Sequence, residues 1–250
     1  MQVITVINAK GGCGKSTIAM NLASALSLDG FHTLLIDLDP QAQLTDWLHA
    51  GDGLNWRGTI VESFMGDREL SQLIQPTLHE RLSFIPSAEG LEELGRMMAR
   101  EEDYEENLAR LLHQADIRFD FLVVDSPNQI SPVMRNAIFP ADLFVIPFES
   151  TKAVKSYGNI FKLIHEIRPH GDYRLVHVLN NLKLQGLRKR VIQAMEADDI
   201  PIARTEIRNC GWLARVDDHG GSIFDFRPRS KSANDLNALK DEILFILEQT

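Results

Sequence analysis

One stretch near the amino terminus constrains the fold more than any other. Val3 to Ile7 is a β-branched run that stops at the glycine-rich Lys10-Gly11-Gly12-Cys13-Gly14-Lys15-Ser16-Thr17. Beyond it Ile18, Leu22, Ala25 and Leu26 recur at helical spacing as far as Gly30. Strand, loop, helix is the opening unit of a parallel α/β fold. Apolar runs at Thr33 to Ile36, Leu82 to Ile85, Phe121 to Val124, Leu143 to Ile146 and Leu175 to Leu179 read as further buried strands, with candidate helices between them. Continuous runs of this kind, as opposed to alternating ones, belong to a parallel sheet covered on both faces. The expected fold is α/β: a single three-layer domain over residues 1–250, with a mostly parallel twisted sheet and helices on both faces.

A length of 250 residues permits one large domain or two small ones, so the motifs must decide. Ala50 to Gly58, rich in Gly and Asp, reads as a surface loop and not a linker. The acidic stretch from Glu89 to Glu106 reads as a solvated helix face with Leu91, Leu94 and Met98 turned inward. The two cysteines, Cys13 and Cys210, indicate neither a disulfide framework nor a zinc site. No apolar run approaches the roughly 18 residues of a membrane span, and no signal-peptide pattern precedes the first motif, so a cytoplasmic protein is expected.

The glycine-rich loop has the chemistry of a phosphate cradle. Glycines let backbone N–H groups converge on oxygens, a helix N-terminus adds positive potential, and the Lys15 ammonium neutralises phosphate charge. The common pattern would place a fifth-residue-upstream glycine where this chain has Ala9, and it has a second cation, Lys10, at the loop entrance. Read locally, Lys10 is either a solvated surface lysine or a functional departure from that pattern.

Aspartates stand at the ends of two of the buried runs, in Leu35-Ile36-Asp37-Leu38-Asp39-Pro40 and in Val123-Val124-Asp125-Ser126-Pro127, where open α/β sheets place their ligands. Magnesium on ATP needs oxygen ligands: the Ser16 hydroxyl directly, with Asp37 and Asp125 through bound water. Asp39 is then left to orient an attacking water, or to serve as a helix cap or turn residue.

Lys10 to Thr17 followed by Leu35-Ile36-Asp37-Leu38-Asp39-Pro40-Gln41 resembles the deviant Walker A motif and following aspartate motif of ParA-type ATPases, in the ParA/MinD superfamily of P-loop NTPases. The resemblance runs through most of the chain. It takes in Phe84-Ile85-Pro86-Ser87, Asp125-Ser126-Pro127, Asn136-Ala137, Ala141-Asp142, Ile146-Pro147 and the terminal Phe226 to Ala233.

The resemblance implies ATP and Mg2+ as cofactors, slow partner-stimulated hydrolysis, and an ATP-bound homodimer in which Lys10 reaches the partner's phosphates. It assigns catalysis to Lys10, Lys15 and Asp39 and nucleotide contacts to Gly11, Gly12, Cys13, Gly14, Ser16 and Thr17. Asn180, with Asn181 beside it, and Pro228-Arg229 border the adenine by the same resemblance; read locally they are a strand-end turn and a helix-entry segment. Asn128 stands where the family usually has proline, and Ser16 where threonine is commoner. Cys13 fills a variable position, where alkylation would block nucleotide entry.

Members of this superfamily divide by what the ATP-bound dimer holds. A membrane-bound MinD-like ending would be a basic amphipathic helix, whereas Asn234 to Thr250 sets Leu236, Leu239, Ile243 and Leu247 beside mainly acidic residues and reads as a core helix. An iron–sulfur protein would need paired cysteines, and Cys210 stands alone. Non-specific DNA remains, although the net charge of −9 argues against a polyanionic partner. That charge is uneven: residues 1–125 carry −11 and residues 126–250 carry +2. Lys183, Arg188, Lys189 and Arg190 lie close together in the second half, and Arg208 matches an arginine position that the resemblance connects with DNA; the alternative for each is a solvated helix face.

The expectation is a nucleoid-associated ATPase that partitions or positions a chromosome, plasmid or protein assembly with a ParB-like adaptor. It has no stable membrane binding and no N-terminal helix-turn-helix domain. The alternatives are a MinD-like membrane- or pole-associated ATPase and an ATP-dependent clamp with negligible turnover.

Overall fold

The computed structural model describes residues 1–52, 58–215 and 220–249. Eight strands form one sheet in the order β3-β4-β2-β5-β1-β6-β7-β8. They are β1 (Gln2–Val6), β2 (Thr33–Asp37), β3 (Gln75–Pro76), β4 (Leu82–Ile85), β5 (Phe121–Asp125), β6 (Leu143–Phe148), β7 (Arg174–Asn180) and β8 (Glu206–Ile207). Every pairing is parallel except β3 with β4.

Two of these strands escape the sequence reading. Gln75-Pro76 and Glu206-Ile207 are two-residue edge strands, too short to show a hydrophobic period, and Pro76 cannot donate to a ladder. The central strands are legible because they are covered on both sides: β2 and β5 are buried at all five positions and β6 at all six.

Two apolar cores flank the sheet. On one face α1 (Lys15–Leu28), α2 (Gln43–Asp52), α9 (Ile223–Phe226) and α10 (Lys231–Glu248) cover Ile4, Val6, Leu35, Val123 and Val145. On the other, α3 (Ile60–Phe64), α4 (Gly90–Met98), α5 (Asn107–Gln114), α6 (Pro132–Ile138), α7 (Thr151–Ile167) and α8 (Gln185–Ala197) cover Leu34, Ile36, Leu122, Val124 and Phe144. α1 is buried almost all round, between the sheet and α10, and Gly30 follows its end at φ 97°, as a helix stop requires.

The acidic stretch behaves as its pattern implies: Leu91, Leu94 and Met98 are buried in α4, while Glu92 and Glu93 pair with Arg96 at the surface. Leu236, Leu239 and Ile243 of α10 are buried against the α1 side. The loop expected from Ala50 to Gly58 is corrected in part, since α2 continues through Asp52; residues 53–57 lie outside the described residues. The apolar face of α2, with Leu44, Trp47 and Leu48 in the core, carries the helix past the point where Gly and Asp suggest a break.

Candidate functional site

β1 sits in the middle of the sheet, and the chain leaves it through the glycine-rich loop into α1. Gly14 is the N-cap of α1 at φ 93°, a left-handed conformation that a side chain would strain, and Gly12 lies at φ 75°. The loop forms one wall of a cleft of about 430 Å³ at the carboxyl ends of the strands. Gly12, Gly14, Lys15, Ser16 and Thr17 line it together with Asp39 and Asn180. Lys15 is 6% exposed despite its charge.

Asp37 and Asp125 end β2 and β5 as register partners, both fully buried. Asp37 is well satisfied: it accepts from the Asp39 N–H at 2.9 Å, the Thr45 N–H at 3.0 Å and the Thr45 hydroxyl at 2.7 Å. Burial nonetheless pushes its carboxyl up to about 7 against those bonds. Among the described residues neither Asp125 oxygen has a hydrogen-bond partner of normal geometry, although the Ser16 hydroxyl lies near enough to favour its charged form. Burial, then the neighbouring Asp37, raises Asp125 well above the usual carboxylate range, with the Lys15 ammonium and the Ser16 hydroxyl offsetting part of the rise. Two fully buried carboxylates beside a hydroxyl supply the oxygen donors that suit a hard divalent cation, and the lysine supplies positive charge for phosphate.

Asp39 accepts from the Gln41 N–H at 3.0 Å, so it is a turn residue as well as a cleft residue. Its carbonyl takes the Ser87 hydroxyl at 2.8 Å, and the Ser87 N–H donates to the Thr45 hydroxyl at 2.9 Å. Thr45 and Ser87 thus hold both acidic residues in place. Thr45 gives no sequence signal, because its role depends on where α2 starts relative to β2.

Lys10 does not line the cleft of its own chain. Its amine donates to the Gly11 carbonyl and lies 3.8 Å from Glu149. Cys13 is fully buried, and burial pushes its thiol up to about 11, so the alkylation expected from sequence meets an inaccessible, protonated sulfur. Asn180 joins the phosphate loop directly, donating to the Cys13 carbonyl at 2.7 Å. Asn181, Asn209 and Cys210 line the cleft beyond it. Pro228 and Arg229 are not brought there; they line a separate depression with Trp212, whose ring lies 3.9 Å from the Arg227 guanidinium.

Of the candidate polyanion contacts, Lys183 lines the cleft, while Lys189 and Arg190 are exposed on α8. Arg188 pairs with Glu206 at 2.8 Å, and Arg208 grips Asp235 through Nε and Nη2 at 2.5 to 3.2 Å. Two motifs of the resemblance serve the fold: Asn136 bonds Leu108, Tyr104 and Pro132, and Asp142 accepts the Val3 N–H at 2.7 Å. Among the described residues no helix is long and apolar enough to cross a membrane.

A glycine-rich loop at the mouth of a parallel sheet, a buried lysine behind it and strand-end carboxylates beside it define a P-loop nucleotide-binding domain. Residues 1–176 match the family model described as an AAA domain, and the chain belongs to this family. It is 32% identical over 153 residues to the chromosome partitioning protein ParA of Myxococcus xanthus, a match covering 59% of this chain and 52% of that protein, about half its length. It is 27% identical over 244 residues to the cell division protein PomZ of the same organism, covering 95% of this chain and 76% of that one. Among solved structures, the cobyrinic acid a,c-diamide synthase of Mycobacterium smegmatis with bound ATP analog and magnesium superposes with a TM-score of 0.81 at 22% identity, covering 98% and 94% of the two chains.

Proposed function

We propose that this chain binds ATP with magnesium, dimerises in that state, holds DNA non-specifically, and hydrolyses ATP slowly until a ParB-like partner releases it. The cargo is a chromosome, a plasmid or a protein assembly positioned on the nucleoid. The observation that carries the nucleotide part is the fully buried Asp125 carboxylate beside Asp37, Lys15 and the glycine loop. Similarity to a partitioning protein and a cell division protein supports the partition or positioning role.

Ser16, Asp37 and Asp125 would hold magnesium, which when bound neutralises charge on the β- and γ-phosphates. Lys15 and the loop N–H groups bind and orient the phosphates from this chain. Asp39 stands at the cleft, held by Ser87 and the Gln41 N–H, to orient the attacking water. Lys10, turned away from its own cleft, is available to a partner's phosphates, so ATP favours the dimer because its phosphates touch both subunits.

The test is plasmid-DNA retention and phosphate release, each with and without ATP and with a cognate partner, beside anionic liposomes. ATP-dependent, salt-sensitive DNA retention supports the proposal. Nucleotide-independent retention contradicts it, liposome binding alone favours a MinD-like protein, and absence of stimulated phosphate release favours a clamp. The core packing of α10 speaks against a membrane-binding use of that helix.

A further inference from the structure

We infer that the Asn128 side chain contacts the terminal phosphate of ATP and lets the chain tell ATP from ADP. The inference rests on the nucleotide reading above and names, within that site, a residue to which the motifs give no role.

The sheet order sets β1, which leads into the phosphate loop, between β5 and β2 on one side and β6, β7 and β8 on the other. The cleft divides in the same way. Asn180, Asn181, Asn209 and Cys210 line it from the β7–β8 side, and Asp39 and Asn128 line it from the β2–β5 side. Asp37 and Asp125, the candidate magnesium ligands, end the two strands of that second side. Magnesium on ATP bridges the β- and γ-phosphates, so a triphosphate whose metal is held there has its terminal phosphate toward Asn128 and its base toward β7 and β8.

The segment that carries Asn128 is short and fixed at both ends. The Ser126 N–H donates to the Val6 carbonyl at 3.3 Å, and Ser131, the N-cap of α6, accepts the Met134 N–H at 3.2 Å. Pro127 and Pro132 restrict the backbone between these points. The Asn128 Nδ2 comes to 3.8 Å from where a Cβ on Gly11 would stand, which sets the amide against the entrance of the phosphate loop. Asn8, Asn21 and Asn136 spend their amides on the fold, donating to the carbonyls of Pro147, Thr17 and Tyr104. Asn128 is half-buried, and among the described residues its side chain makes no hydrogen bond, so both of its N–H donors are left to the cleft. Proline, which the sequence resemblance would put at this position, has no donor to offer.

Asp39 and Asn128 also line a groove of about 260 Å³ together with Pro40, Pro127 and Ile130. The two residues are therefore the partition between cleft and groove. They stand where a terminal phosphate meets incoming water, with an acceptor on Asp39 and a donor on Asn128.

The test measures binding of ADP and of the non-hydrolysable analogue AMPPNP, each with magnesium, by calorimetry at chain concentrations where sedimentation shows monomers. In Asn128→Ala the affinity for AMPPNP is expected to fall about tenfold or more with that for ADP unchanged, as loss of a hydrogen bond to a charged oxygen implies. Asn128→Asp has the same shape with negative charge in place of the donor and should lower AMPPNP affinity further, whereas Asn128→Ser keeps a donor and should recover part of the loss. Equal losses for both nucleotides, or an unchanged AMPPNP affinity in Asn128→Ala, would overturn the inference. A wild-type chain that binds neither ligand would sink the nucleotide reading instead. Should the variants not fold, NMR of the wild type decides: the Asn128 side-chain amide signals should move on AMPPNP and not on ADP, and the same movement with both overturns it.

Discussion

Asp37 and Asp125 face each other in register at the ends of β2 and β5, both at 0% exposure; Asp37 accepts three hydrogen bonds, whereas among the described residues neither Asp125 oxygen has a partner of normal geometry. Without a cation the pair is a liability to the fold, because burial holds both carboxyls above their ordinary range. A carboxyl whose folded pKa is raised keeps its proton while the unfolded chain has lost it, so stability is present at low pH and declines as pH rises. With Asp37 pushed from 3.8 to about 7, stability in chelator is expected to fall between about pH 4 and pH 7. Urea melts across that window check it; magnesium with ATP should flatten the decline, and an unchanged slope would count against a cation between the two groups.

Asp125→Asn separates the site's cost from its use. It removes a carboxyl whose ionisation burial opposes, with little change of shape, so the metal-free variant should melt a few degrees higher near neutral pH, equivalent to about 1 to 3 kcal/mol. Magnesium-dependent stabilisation by ATP should disappear in the same variant. A lower melting temperature would show that the carboxylate is satisfied in solution.

His177 gives a pH response of the opposite sign. It is 2% exposed, its Nε2 lies 2.8 Å from the Tyr157 hydroxyl, and burial lowers it to about 4. The unfolded chain takes up a proton near pH 6.5 while the native state does not, so this contribution is complete above 6.5 and is lost toward pH 4. The loss amounts to about 3 kcal/mol at the acid end. Acid titration of stability should be shallower in His177→Gln than in the wild type, and parallel curves would exclude His177 as the source.

How far the molecule could be read beforehand follows from what each element owes to its own residues. β2, β5 and β6 were legible as apolar runs because both of their faces are covered, and the loop was legible because glycine and lysine carry its chemistry locally. β3 and β8 were not, since two residues at a sheet edge are held by their neighbours and carry no period of their own. Asp37 and Asp125 could be named from their strand ends, but Thr45 and Ser87 enter only through the approach of α2 and β4. Asn180 shows the same limit: its bond to Cys13 joins opposite ends of the chain.

The two loop lysines should fail differently. Lys15 is buried in its own cleft, whereas Lys10 lies beside Gly11 and Glu149 outside it. Lys15→Gln is expected to abolish ATP binding by the isolated chain, while Lys10→Ala keeps that binding within a few-fold and loses the ATP-dependent dimer. Calorimetry and sedimentation velocity measure the two separately. A Lys10→Ala chain that still dimerises on ATP would end the trans-acting role.

Arg188 and Arg208 already hold carboxylates, Glu206 and Asp235, so a phosphate must compete for them, whereas Lys189 and Arg190 are exposed on α8. Cations that release counterions on meeting DNA set the steepness of its salt dependence, by roughly 0.9 for each phosphate contact. Replacing Lys189 and Arg190 together by alanine should therefore weaken DNA retention and reduce the salt slope by about two per protomer, with ATP affinity unchanged. Arg208→Ala should reduce retention as well, but it also removes the guanidinium paired with Asp235, leaving that carboxylate only the residue 208 N–H, so the α8 pair is the cleaner probe. Retention measured from low to moderate salt decides the matter. An unchanged slope in the double variant would move the DNA surface away from α8.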